Sequence, residues 1–216
     1  MMRKYTPRCS VYLVTALAAV ALASAAHASS ISVQADTLNP GDSWESGGLL
    51  FTNFSFDFGN VSNTSGFTLT IQGTTVSLTG PMRVQNQQSD DFGMSYQVSS
   101  ISSTSVITDV SFLTPATVSR SSMQGTGSFV NGSSVEVASL STAVSGSTSQ
   151  PGDSQDISPE AMLTVQVVAA LRSGKGGSAE VTSMTNTFSI VPEPASALML
   201  ALGLVGLATG SSFRRR

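Results

Sequence analysis

Apolar and polar residues alternate along much of the chain with the period of a β-strand, one face per parity. Phe54, Phe56 and Phe58 point one way while Ser55 and Asp57 point the other. Phe67, Leu69 and Ile71 alternate with Thr68 and Thr70, then Gln72-Gly73-Thr74 supplies a turn before Val76 and Leu78. Met94, Tyr96 and Val98 repeat the pattern, as do Leu163, Val165 and Val167, and Met184, Asn186, Phe188 and Ile190 form a last strand. These runs are separated by Gly, Pro or Asn, and Ser, Thr, Gly and Val dominate while Lys and Glu are scarce, a composition that disfavours helices. Residues 29–190 are expected to form one all-β domain, an antiparallel β-sandwich or jelly roll. Ala143 to Gln155 lacks apolar periodicity and reads as a long surface loop. Ser173-Gly174-Lys175-Gly176-Gly177-Ser178 reads as a hairpin connection, and Gln87-Gln88-Ser89-Asp90-Asp91 as a polar loop.

At both ends the pattern changes to continuous apolar runs. Residues 1–28 have the three parts of a secretory signal peptide. Arg3, Lys4 and Arg8 form a basic start, Val11 to Ala23 an apolar run, and Ala26-His27-Ala28 a small-x-small site that places cleavage before Ser29. The run is roughly 20 Å long as a helix at about 1.5 Å per residue, short of the roughly 30 Å of a bilayer core. At the other end Val191-Pro192-Glu193-Pro194 precedes an apolar stretch from Ala195 to Phe213, and the sequence closes on Arg214-Arg215-Arg216. That stretch is roughly 28 Å of helix, enough for a single transmembrane span, and the three arginines hold its end in the cytoplasm. Pro192 and Pro194 keep a helix from running through the junction. An ordinary anchor that is never cut is the alternative reading of this tail.

The tail resembles the PEP-CTERM sorting signal of Gram-negative bacteria, with Val191-Pro192-Glu193-Pro194 matching its VPEP form. The resemblance covers residues 191–216 and does not extend to the domain before them. It implies recognition of Pro192, Glu193 and Pro194 by exosortase, a membrane-embedded protease, and removal of the helix. It also implies a surface or matrix location in a bacterium that secretes exopolysaccharide. The implied route is through the Sec translocon and signal peptidase to the inner membrane, with transient anchoring there, then on to the cell surface or extracellular matrix.

Charge and reactive residues narrow the chemistry. Cleavage before Ser29 removes Cys9 and His27, the only cysteine and histidine. The remaining chain is expected to need no disulfide, metal or cofactor, and it lacks the residues of a Ser-His-Asp triad or a usual zinc site. Between Ser29 and Ile190 twelve acidic side chains face four basic ones, a net charge of −8, which disfavours nucleic acid as a partner. Hydrolysis by a carboxylate pair would draw on Asp57, Asp90, Asp91, Asp109 or Glu136. Calcium would draw on Asp90, Asp91, Asp153 and Asp156. Trp44, Tyr96 and the phenylalanines offer a sugar-stacking platform. Gly174-Lys175-Gly176-Gly177 fails as a phosphate loop because Ala169 stands where a glycine is required. The leading expectation is a non-enzymatic exported surface or matrix protein. A carbohydrate- or calcium-binding module of the biofilm matrix is the alternative, and a glycoside hydrolase a third.

Overall fold

The computed structural model describes residues 30–39, 41–61, 64–146 and 149–192. The expected signal peptide and its cleavage site at Ala26, Ala28 and Ser29 lie outside the described residues. So do Glu193, Pro194, the expected span 195–213 and Arg214, Arg215 and Arg216. No helix among the described residues is long and apolar enough to cross a membrane.

The described chain is all-β and antiparallel, with twelve strands and two short 3₁₀ turns. The strands are β1 (Ser30–Gln34), β2 (Ser43–Ser46), β3 (Leu49–Asp57), β4 (Thr68–Gln72), β5 (Thr75–Gln85) and β6 (Ser89–Ser100). They continue with β7 (Ser105–Leu113), β8 (Ala116–Asn131), β9 (Glu136–Ser145), β10 (Ser149–Gln150), β11 (Gly152–Glu160) and β12 (Met162–Pro192). The 31-residue β12 organises the rest. Its first half pairs with β6 on one side and β8 on the other, extending into a layer ordered β2-β3-β6-β12-β8-β9-β10. Its second half pairs with β5 on one side and, on the other, first with the start of β8 and then with β7, giving a layer ordered β1-β4-β5-β12-β7-β11.

The two layers face each other across one apolar core. Phe188, on the second half of β12, has its ring centroid 6.3 Å from those of Phe51 and Tyr96 and 6.5 Å from that of Phe129, all three on the first layer. Alternation accounts for what is inside: Phe67, Leu69, Ile71, Val76, Leu78, Met94, Tyr96, Val98, Leu163, Val165, Val167, Met184 and Phe188 are all buried. Asn186 is buried with them, next to Tyr96. Burial pushes the Tyr96 hydroxyl well above its ordinary range, with Asn186 acting in the other direction. Neither group makes a hydrogen bond of ordinary geometry.

The Phe54–Phe58 parity is kept by a bulge. Thr52 pairs with Gln97 and Ser55 with Ser95, so Asn53 and Phe54 together stand opposite Tyr96. Asn53 takes the left-handed conformation (φ 56°) and its amide donates to Gln97 Oε1 at 2.7 Å. One extra residue thereby puts Phe54, Phe56 and Phe58 on the same face as Leu49 and Phe51.

Three sequence expectations are corrected. Ser173–Ser178 is not a hairpin connection, because the two halves of β12 do not pair with each other. The segment carries β12 from one layer to the other, alongside the β5–β6 turn and Arg120 of β8. Asn86 N–H donates to Gly177 O, Gln87 N–H to Gly174 O, and Ser173 N–H to Gln88 O. Ala143 to Gln155 is not simply a loop: it holds the end of β9, β10 and the start of β11. β11 is an edge strand, exposed along most of its length, whose backbone pairs with β7 without needing an apolar face. Asp90 and Asp91 lie in β6 rather than in a loop. The last strand also runs past residue 190: Val191 pairs with Val106 and Pro192 with Ser105, so the first half of Val191-Pro192-Glu193-Pro194 is built into the sheet.

Candidate functional site

The outward positions of the first layer align in rows across five strands. One row is Ser55, Ser95, Gln166, Ser128 and Ser139, each directly opposite the next. The neighbouring row is Asp57, Gly93, Val168, Thr126 and Ser141. Five strands at about 4.8 Å spacing make a face roughly 19 Å wide. Its centre carries hydroxyls and one carboxamide, with charge confined to the margins at Asp57 and at Glu136, whose carboxylate accepts from Ser128 Oγ at 3.0 Å.

Gly93 makes a notch in this face. A glycine in the middle of a paired strand weakens it and marks a place where something approaches closely. With no side chain there, Ser55, Asp57, Ser95, Gln166 and Val168 surround a shallow depression of about 190 Å³. A second depression, bordered by Thr126, Ser128, Ser139, Gln166 and Val168, continues it across β8. Gln166 is common to both and presents a donor and an acceptor at the middle of the groove.

Next to the notch, Asp57, Asp90, Asp91, Asn60 and Arg172 border a polar hollow of about 350 Å³. Asp90 accepts from the Asn60 backbone N–H at 3.0 Å and from its amide at 2.9 Å. Asp57 accepts from Gly59 N–H at 3.0 Å. A methyl at Gly59 (φ 60°) would sit 2.4 Å from Asp90 Oδ1, so glycine lets the chain after β3 close over this carboxylate. Asp90 therefore holds the β3 exit against β6, while Asp57 caps the turn on its own strand.

The remaining candidates are scattered. Asp153 accepts from Ser141 N–H at 2.9 Å and closes the β9 edge, while Asp156 stands opposite Asp109 on the β11–β7 pair. Asp90 and Asp91 on β6 and Asp153 and Asp156 on β11 are thus not brought to one place. Among the described residues no three acidic, histidine or cysteine side chains are grouped to hold a metal ion. The sugar-stacking platform is also corrected. Tyr96 is fully buried, and Trp44 packs edge-on to Phe54 at 5.4 Å, so the aromatics face the core because they share the inward parity. The groove itself was not read from the alternation; a glycine at an outward position between Phe92 and Met94 is the signal that marks it.

No protein-family model and no curated protein matches this chain. Among solved structures, TmCBM61 in complex with β-1,4-galactotriose is 12% identical with a TM-score of 0.34, over 66% of this chain and 88% of that one. The enzymatically active domain of tailspike protein 4 of bacteriophage CBA120 is 9% identical with a TM-score of 0.31, over 77% of this chain and 20% of that one. The family 11 carbohydrate-binding module of Clostridium thermocellum, in complex with a β-1,3-1,4-mixed-linked tetrasaccharide, is 8% identical with a TM-score of 0.21, over 73% of this chain and 95% of that one. At these scores neither a ligand nor a site carries over.

Proposed function

We propose that the protein is an exported, non-enzymatic surface or matrix protein whose first-layer outer face binds a neutral exopolysaccharide. The observation that carries the reading is the notched face itself. Aligned hydroxyls and the Gln166 amide suit a hydroxyl-rich polymer lying across the strands, with water filling residual gaps. The net charge of −8 on residues 29–190 disfavours an anionic polymer. In the same reading, exosortase recognises Pro192, Glu193 and Pro194, cuts there and frees the body from its anchor.

Gly93→Thr tests the binding face. A Cβ at Gly93 meets Asp57 Cβ at 3.5 Å, Val167 O at 3.6 Å and Val168 Cγ2 at 3.8 Å, all ordinary contacts. A β-branched residue there fills the notch and favours the strand. Expected is a loss of affinity for the host's neutral exopolysaccharide of at least about tenfold, or about 1.4 kcal/mol, with the unfolding midpoint held or raised. Unchanged affinity in calorimetry overturns the site. Processing has its own test: mass spectrometry of the protein recovered from the host is expected to show a chain beginning at Ser29 and ending near residue 195. Retention of Arg214–Arg216 on the recovered protein overturns the sorting reading.

A further inference from the structure

We propose that the end of the domain formed by the β6–β7 turn, the β8–β9 turn and the end of β12 is a docking surface for the lipid bilayer. The inference rests on the reading of residues 195–213 as a membrane span. The described strand ends at Pro192, which leaves only Glu193 and Pro194 before Ala195. At about 3.3–3.6 Å per extended residue, those two residues hold this end within roughly 10 Å of the first residue of the span. The anchored body has no linker on which to stand off.

The same end carries apolar exposure. Of the four large apolar side chains that are exposed among the described residues, Ile101, Val135 and Val191 lie here and Leu113 does not. Strand register places them together. Met162 at the start of β12 pairs with Ser99, two residues before Ile101, and Leu163 pairs with Asn131 at the head of the turn that bears Val135. Ile101 N–H donates to Gly48 O, and a methyl on Gly48 would meet the Ile190 side chain at 3.0 Å, which ties Ile101 to the exit of β12. The connecting stretch Ser102-Ser103-Thr104-Ser105 carries no charge. The other terminus opens toward this end as well: Ser30 pairs with Gln72, at the same β4–β5 turn whose Gly73 backbone lies against Gly47. The start of β1 and the end of β12 thus share one end. The β6–β7 turn beside Ile101 is uncharged, while Glu136 follows Val135 and Glu160 is held by Asn131. Small apolar side chains beside an uncharged turn suit the headgroup boundary.

The test uses the full chain, carrying Cys9→Ser and a single new cysteine, reconstituted into phosphatidylethanolamine–phosphatidylglycerol vesicles. A fluorophore at Ser103→Cys reports the proposed surface. One at Lys175→Cys reports the opposite end, where β12 passes from one layer to the other. A nitroxide carried on the lipid headgroup is expected to extinguish the Ser103 signal and spare the Lys175 signal. Adding Ile101→Asp and Val135→Asp, both exposed sites, is expected to restore the Ser103 signal with circular dichroism unchanged. Equal quenching at the two positions in a chain that floats with the vesicles overturns the docking surface alone. A chain that does not float overturns the membrane-span reading, and the proposal with it.

Discussion

Phe188→Ala is expected to lower the free energy of unfolding by about 3–5 kcal/mol, the range for removing a large aromatic side chain from a closed core. Three features put it at that level. Phe188 is 1% exposed, so its cavity opens in the interior. Its ring lies edge-on to Tyr96 and Phe129, at interplanar angles of 89° and 75°, and aromatic pairs add about 0.5–1.5 kcal/mol each beyond buried area. The surrounding rings also belong to the facing layer, so collapse around the gap means moving one sheet against the other. Urea unfolding followed through Trp44, the single tryptophan, measures the loss. Phe188→Leu should recover part of it, because it refills volume without restoring the ring contacts. A loss below about 1.5 kcal/mol for the alanine variant would mean that the layers are not held by this contact.

The same residue shows what alternation makes legible. Phe188, Tyr96 and Val165 announce themselves because bulky apolar residues at one parity leave a half-buried strand no other way to face. β8 resists the same reading, since its inward positions include Gly125 and Gly127 between Met123 and Phe129. The space at these glycines is taken by neighbours on both sides. A methyl at Gly125 would meet Thr142 Oγ1 of β9 first and the Phe112 ring of the facing layer at 3.0 Å, and one at Gly127 would meet the Phe129 ring at 3.2 Å and Val167 at 3.4 Å. Packing from adjacent strands and from the facing layer together erases the periodicity of β8. β11 is hidden for another reason, because an edge strand needs only backbone partners and can expose Ser154, Gln155 and Asp156 in succession. The notched face was illegible because most of its residues are ordinary outward Ser, Thr or Gln. Only the register that lines Ser55, Ser95, Gln166, Ser128 and Ser139 in a row makes them a surface.

Gly177→Ala is expected to be nearly as damaging as the loss of Phe188, at about 3 kcal/mol, although it adds one methyl group. Overpacking usually costs about 1–3 kcal/mol, and the upper end applies where the obstacle cannot move. Here a Cβ would lie 2.5 Å from Ser119 O and 2.7 Å from Arg120 O, both backbone atoms of β8 at the passage between layers. Arg120 is itself in the left-handed conformation (φ 49°), so β8 has little freedom to retreat. On the other flank Gly177 O accepts from Asn86 N–H, so a shift away from β8 strains the β5–β6 turn. Gly146→Ala is the matched control, since nothing lies within 4 Å of a Cβ there, and it should change stability by no more than about 0.5 kcal/mol. If Gly177→Ala unfolds at the same urea concentration as Gly146→Ala, the three chains do not pass this point side by side. The account of β12 as one strand shared by two layers then fails with it.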